Sequence, residues 1–270
     1  MSSSADLSTL SIAITGGARG IGLATASRLS RAGARVVVGD RDVDVATKAT
    51  ADLDVEVLSL DVADPASWRS FATSAGPLDV LVNNAGIMPV GAVVEEPDQV
   101  TRAILDVNLL GVITGTKTFA PAMIKRGRGH IVNVASGVGR VAVPNGATYA
   151  ASKFGVVGFT EATRGELAPY GVDVSMVLPT VVQTELAAGV SQARFVKPVT
   201  ADDVAAAIEA VIRRPRPETW VPRWTQGMVR ATQLLPRRAQ EAISRVFHAD
   251  AILTGADAAA RADYEQRVRP

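Results

Sequence analysis

Two side chains with complementary chemistry lie four residues apart in the stretch ATYAASKFG: Tyr149 and Lys153. On a helix that spacing puts both on one face, one turn apart. An ammonium beside a phenol favours the ionised form, so such a tyrosine can work as an acid or base near neutral pH. The same spacing also arises on ordinary solvated helix faces, so the pair alone decides nothing. Other polar residues are ambiguous in the same way. Ser136 closes an apolar run thirteen residues before Tyr149, where a hydroxyl either caps a turn or meets a ligand. Asn108 sits in a segment of helical spacing, although asparagine is a mediocre helix former. Asn83-Asn84-Ala85-Gly86 ends another apolar run and reads equally well as a plain loop.

The elements that would position these groups are visible as a rhythm. β-branched runs at 10–15, 34–39, 55–60, 78–83, 130–135, 172–178 and 219–222 alternate with segments of helical spacing. The runs are apolar almost throughout, as in parallel strands covered on both faces. Strand alternating with helix implies right-handed crossovers and a doubly wound α/β sandwich of three layers around about seven parallel strands. The first run enters TGGARGIG, residues 15–22. A Gly-rich turn between a first strand and a first helix lets backbone N–H groups approach a pyrophosphate. Asp40 ends the second run, eighteen residues past Gly22, where a carboxylate can accept hydrogen bonds from ribose hydroxyls. A ligand-free tight turn is the alternative; the flanking strand, the helix and Asp40 favour a dinucleotide.

Composition narrows the classes. The chain has 270 residues, 47% of them hydrophobic, which is enough for a sizeable core. A net charge of +1 gives no global footprint for nucleic acid, although residues 213–270 carry 11 basic and 6 acidic side chains. The absence of cysteine excludes disulfides, thiolate metal sites and thiol nucleophiles, and suits a cytoplasmic protein. MSSSADLSTL has neither a basic start nor an apolar stretch, so residues 1–9 read as a flexible lead-in rather than a secretory signal. No uninterrupted apolar run reaches transmembrane length.

Together these motifs resemble the short-chain dehydrogenase/reductase family of the TGxxxGxG and YxxxK type. The matching residues are Thr15-Gly16, Gly20-Ile21-Gly22, Asp61-Val62, Asn83-Asn84-Ala85-Gly86, Asn108, Ser136, Tyr149 and Lys153, in family order over roughly residues 10–222. The resemblance implies a Rossmann-type catalytic domain over 10–222 that interconverts a primary or secondary alcohol and its aldehyde or ketone. Tyr149 would be the acid/base and Lys153 would lower its pKa and hold the nicotinamide ribose. Ser136 would bind the substrate oxygen, and Asn108 would hold a water leading from Lys153 to solvent. No metal is implied. The implied cofactor residues are Gly16, Arg19, Gly20, Ile21, Gly22, Asp40, Arg41, Asp61, Val62, Asn83, Ala85, Gly86, Tyr149, Lys153, Pro179, Val182 and Thr184. Threonine stands at position 180, where the family usually has glycine, and cannot freely adopt the φ > 0 states open to glycine. Asp40 argues for NAD, because its charge opposes a 2′-phosphate; Arg19 and Arg41 argue for NADP, but Asp40 stands at the 2′-hydroxyl position itself, so NAD is expected and NADP is the alternative. The resemblance also implies a homodimer or homotetramer assembled through helices around 98–126 and 147–169. A non-catalytic dinucleotide-binding module is the alternative. Such a descendant would be free to lose Asn108, Ser136, Tyr149 or Lys153, and all four are present.

The loops expected to wall the substrate pocket contribute Met88, Pro89, Val90, Val138, Val141, Val143, Pro144, Leu186, Val190 and Phe195, with Arg140 the one charge. That lining favours a bulky lipophilic alcohol or ketone of steroid, terpenoid, retinoid or long-chain type. Residues 223–270 read as a helical extension packed on the same domain. Pro236 is expected at a first helical position, with Leu235, Ala239, Ala242, Ile243, Val246 and Phe247 forming one apolar stripe. Packing on the domain, covering the pocket, and weak contact with an anionic membrane all fit this helix, in that order. Removing residues 225–270 is therefore expected to raise KM or cost solubility while sparing the cofactor site.

Overall fold

The computed structural model describes residues 5–191, 197–246, 248 and 251–269. Seven parallel strands form one sheet: β1 (Ser11–Thr15), β2 (Arg35–Asp40), β3 (Val55–Ser59), β4 (Val80–Asn83), β5 (Gly129–Val134), β6 (Val172–Pro179) and β7 (Glu218–Val221). Their order is β3-β2-β1-β4-β5-β6-β7, so the chain reverses direction across the sheet between β1 and β4. Ligands in open α/β sheets bind at the carboxyl ends beside such a switch point.

Among the described residues seven α-helices link the strands: α1 (Gly20–Arg31), α2 (Val43–Ala49), α3 (Pro65–Ala75), α4 (Asp98–Leu105) continuing into α5 (Gly111–Arg126), α6 (Ala147–Leu167), and α7 (Ala201–Arg213) before β7. Alternate strand residues feed opposite faces. Ile12, Ile14, Val36, Val38 and Val132 pack with Ala26 and Leu29 of α1 and Val204, Ile208 and Val211 of α7. Ala13, Val37, Leu81 and Ile131 pack on the other face with Trp68 and Phe71 of α3 and Phe119 and Met123 of α5. The three aromatic rings meet edge to face at 6.1–6.4 Å. The doubly wound reading holds on both faces.

Three more helices follow β7: α8 (Trp224–Gln233), α9 (Arg237–Val246) and α10 (Ala258–Val268). Pro236 lies just outside α9, one position before its first helical residue rather than at it, and its carbonyl accepts from the N–H groups of Ala239 and Gln240. The stripe on α9 is only partly covered, since Leu235 and Val246 stay exposed while Ile243 is half-buried against the substrate cavity. Phe247 lies outside the described residues. Asp257 caps α10 by accepting from Ala259 and Ala260.

Candidate active site

The Gly-rich turn is shaped for a close neighbour. Gly16 and Gly20 have φ of +67° and +52°, left-handed values that glycine adopts without a Cβ penalty. A Cβ on Gly22 would overlap the Gly16 carbonyl oxygen and sit 2.7 Å from Asn84 Nδ2. Arg19, at the N-cap position of α1, makes no side-chain capping bond, whereas Asp64 caps α3 and Thr200 caps α7. The N–H groups of the first turn of α1 therefore remain available to an anion, with the positive end of the helix dipole behind them.

Thr15 ties this turn to the end of β4. Its hydroxyl accepts from the N–H groups of Asn84 and Ala85, both at 3.0 Å, and the Asn84 amide donates to the carbonyls of Thr15 and Gly16. Asn84 is thus the side chain that joins the two loops. Asn83 was expected at the cofactor. It is instead buried, donating to Asn133 at 2.9 Å, because the strand alternation turns it into the core. Asp61 accepts from Ala63, and the Val62 carbonyl takes the Trp68 indole, which fixes the turn after β3.

Asp40 sits at the end of β2 with its carboxylate accepting from the N–H groups of Ala18 and Asp42, at 2.9 and 3.0 Å. Arg19 bonds Asp42 at 3.2 Å and lies 3.6 Å from Glu185. Arg41, rather than Arg19, is the arginine left exposed. Across the cleft, Thr184 stands over Gly20, where an added Cβ would meet its methyl at 3.2 Å. Thr180 keeps φ negative and donates its N–H to Val221 at 2.9 Å. The threonine at this position therefore costs the loop no strain.

Lys153 and Tyr149 both come from the first turns of α6 and both are buried. Lys153 Nζ donates to the Val134 carbonyl at 3.0 Å and lies 5.8 Å from the centre of the Tyr149 ring. Ser136 follows β5; its Oγ accepts from the Val138 N–H and its hydroxyl bonds the Tyr149 phenol. Burial pushes the phenol up to about 12, with the Ser136 bond pulling the other way. Burial also drives the Lys153 ammonium down to about 8. The lowering of the phenol expected from Lys153 does not emerge: burial raises the phenol, and the opposing pull comes from Ser136. Burial therefore favours the neutral phenol.

Asn108 occupies a π-helical turn, Asp106–Leu110, inserted between α4 and α5. Its amide clasps Ile87, accepting from the N–H at 2.8 Å and donating to the carbonyl at 2.9 Å, and also reaches Ser152. A Cβ on Gly86 would lie 3.3 Å from Asn108 Oδ1 and 3.6 Å from Lys153 Nζ, so Asn108 and Lys153 flank that glycine.

These groups open into a cavity of about 570 Å³ lined by Ile21, Asn84, Gly86, Ser136, Tyr149, Lys153, Pro179, Val182 and Thr184, with an apolar end beyond them. Of the expected substrate lining, Met88, Val138, Arg140, Val141, Val143, Leu186 and Val190 face it. Pro89, Val90 and Pro144 do not. Val90 packs behind Met88, and Pro144 is exposed. Phe195 lies outside the described residues. Arg140 pairs with Glu161 and Glu218, so its charge is already balanced. Sequence reasoning missed Trp220, Ile252 and Leu253, which complete the apolar end together with Met228 and Val229 of the tail.

The model for short chain dehydrogenases matches residues 11–194. The chain is 43% identical over 190 residues to a Streptomyces virginiae protein named as a ketoacyl reductase of the monensin polyketide synthase, spanning 66% of this chain and 73% of that protein. It is 36% identical over 179 residues to a Mycobacterium bovis 3-alpha-(or 20-beta)-hydroxysteroid dehydrogenase, covering 64% and 69% of the two chains. A solved structure titled a short chain dehydrogenase/reductase family protein superposes with a TM-score of 0.74 at 27% identity, over 80% of this chain and 97% of the other.

Proposed function

The chain belongs to the short chain dehydrogenase family, and from that premise we propose that it reduces a ketone on a bulky, lipophilic, ring-containing molecule. The observation that carries the reading is the buried Ser136–Tyr149–Lys153 group at the mouth of an apolar cavity. A nicotinamide dinucleotide, when bound, supplies or accepts the hydride. Its diphosphate fits the Gly16–Gly22 turn and the uncapped start of α1, and Lys153, Pro179, Val182 and Thr184 would flank its nicotinamide half.

The chain's own residues then divide the work. Ser136 and Tyr149 lie together on the cavity wall, and their hydroxyls would both donate to one substrate oxygen and polarise its carbonyl. Tyr149 holds the proton that the oxygen receives, and its high pKa keeps that proton in place until charge develops. Lys153 carries the positive charge that stabilises the phenolate left behind. Asn108 fixes Ile87 and the turn around Gly86, keeping Lys153 in register.

For cofactor choice we favour NAD. Asp40 is anchored by two backbone N–H groups, and the charge of Arg19 is already matched by Asp42 and Glu185. A 2′-phosphate about 4 Å from Asp40 would meet a repulsion of roughly 4 kcal/mol per unit charge at an effective dielectric near 20. Assembly into a homo-oligomer is supported by Leu110 and Phe154, which stay exposed on the helices expected to pair.

Oxidation of NADH and of NADPH in the presence of trans-1-decalone or cyclohexanone tests the reading. Turnover with a higher kcat/KM for the bicyclic ketone and for NADH is expected. Turnover of cyclohexanone alone would refute the bulky substrate, and equal use of both cofactors would refute the role given to Asp40.

A further inference from the structure

α10 lies beyond residues 11–194, and its contacts converge on the substrate end of the site. Arg261 is 1% exposed and spends four of its five guanidinium N–H groups on hydrogen bonds. Nη1 donates to the carbonyls of Leu186 and Ala188, both at 3.0 Å. Nη2 donates to the Met88 carbonyl at 2.7 Å, and Nε and Nη2 pair with Glu265 at 3.0 Å. One planar group therefore holds two loops that are far apart in sequence, the loop after β4 and the loop after β6. Met88 and Leu186, the residues it grips, both face the substrate cavity.

The surrounding bonds repeat the pattern. Tyr264 accepts from the Met88 N–H at 2.8 Å, and Arg269 donates to the Val90 carbonyl. The Asp257 backbone N–H donates to the Gly189 carbonyl, the Ser191 backbone N–H donates to that of Ile252, and Arg267 pairs with Glu185. The Tyr149 ring packs in one cluster with Met88, Val143 and Leu253, joined by Leu186. Backbone carbonyls in a buried loop need donors, and here the tail provides them.

We propose that Arg261 is a positioning residue, a clamp that fixes the loop after β4 against the loop after β6 and so sets the width of the substrate pocket. The proposal rests on reading the cavity as the ketone site. Lysine in its place keeps a positive charge for Glu265 but cannot bridge three carbonyls with a rigid fork, so charge and geometry are separable.

The test compares wild type with Arg261→Lys in the full chain, with thermal melting as the folding control. Arg261→Lys should raise KM for trans-1-decalone by about tenfold while kcat changes by less than about threefold, because loosened walls weaken substrate packing more than the chemistry. NADH affinity, measured by fluorescence without ketone, should be unchanged. Hydrogen exchange should accelerate in peptides covering 86–91 and 185–191 and not in the sheet. A folded variant with unchanged KM and unchanged exchange overturns the clamp, and so does a proportional loss of kcat and NADH affinity without loop-specific exchange. If Arg261→Lys does not fold, Tyr264→Phe removes only the acceptor of the Met88 N–H and is read the same way for 86–91. If wild type turns over neither ketone, the functional reading fails, and the exchange pattern alone decides the clamp.

Discussion

At the β1–β4 end of the cleft the walls are largely backbone: the glycine turn, the first turn of α1 and the Asn84–Ala85 peptide held by Thr15. At the β5–β7 end they are side chains, with Leu253, Ile252, Val229 and Trp220 meeting Leu186 and Val138 across an apolar space. The first end is made by residues close in sequence and by adjacent strands. The second is closed by a tail whose Arg261 reaches Met88 from 173 positions away and Leu186 from 75. A backbone-built site tolerates few substitutions and suits an invariant ligand part. A side-chain wall can change its shape without disturbing that part. Variants at the two ends should therefore fail differently.

The largest effect is expected at the hinge between them. Lys153→Met should abolish ketone reduction yet stabilise the cofactor-free protein at pH 7 by roughly 3 kcal/mol, since lysine is driven from 10.5 to about 8 by burial. Its folded pKa lies below the unfolded one, so through that window the unfolded chain holds the extra proton. Wild-type stability should rise as pH climbs from about 8 towards 10.5, and the variant's advantage should shrink to nothing. Denaturant titrations at several pH values check this, and an unstabilised variant at pH 7 would contradict it. In the same window kcat/KM for ketone reduction should fall as the free enzyme loses the Lys153 charge.

At the cofactor end, Gly22→Ala should weaken NADH binding about 10- to 100-fold, the cost of overpacking against Gly16 and Asn84 being about 1–3 kcal/mol. Fluorescence titration measures it, and wild-type affinity would show that the turn is not the diphosphate cradle. Asp40→Ser should narrow or invert the preference for NAD by about tenfold in kcat/KM, together with a stability loss of about 1 kcal/mol from the bonds to Ala18 and Asp42. The smallest change belongs to the substrate end. Leu253→Ala opens space beside Gly146 and Tyr149 and should raise KM for trans-1-decalone a few-fold, a loss of about 1 kcal/mol of apolar contact, leaving NADH affinity untouched. Loss of NADH affinity in Leu253→Ala would dissolve the distinction between the two ends.

The same contrast explains what could be read from the residues alone. All seven strands, the glycine turn and the Tyr149–Lys153 pair are local patterns, and local spacing carries them. Asp40 was visible because a strand fixes its distance from the turn. The π turn around Asn108 was not, since a single inserted residue leaves helical spacing almost unchanged. Asn83 and Asn84 have the same chemistry, and only strand alternation decides that Asn83 turns inward and Asn84 joins the two loops. In the tail, the apolar stripe belongs to α9, much of which is exposed, whereas α10 has no such stripe. Its one signal was Arg261, Tyr264 and Glu265 at i, i+3 and i+4, a single face carrying an ion pair and a tyrosine. Such a face reads as solvated until the fold supplies carbonyls for it to hold.

Tyr149 is proposed as the proton donor of a preassembled site. Steady-state ketone reduction by Tyr149→Phe, with NADH affinity measured on the same preparation, tests it most directly. The ring and its packing survive this change and only the hydroxyl is lost. The expected result is a fall in kcat of about 10²–10⁴, the usual contribution of a positioned acid, with NADH affinity within about twofold of wild type. A variant that keeps most of its kcat would place the proton transfer elsewhere and contradict the account.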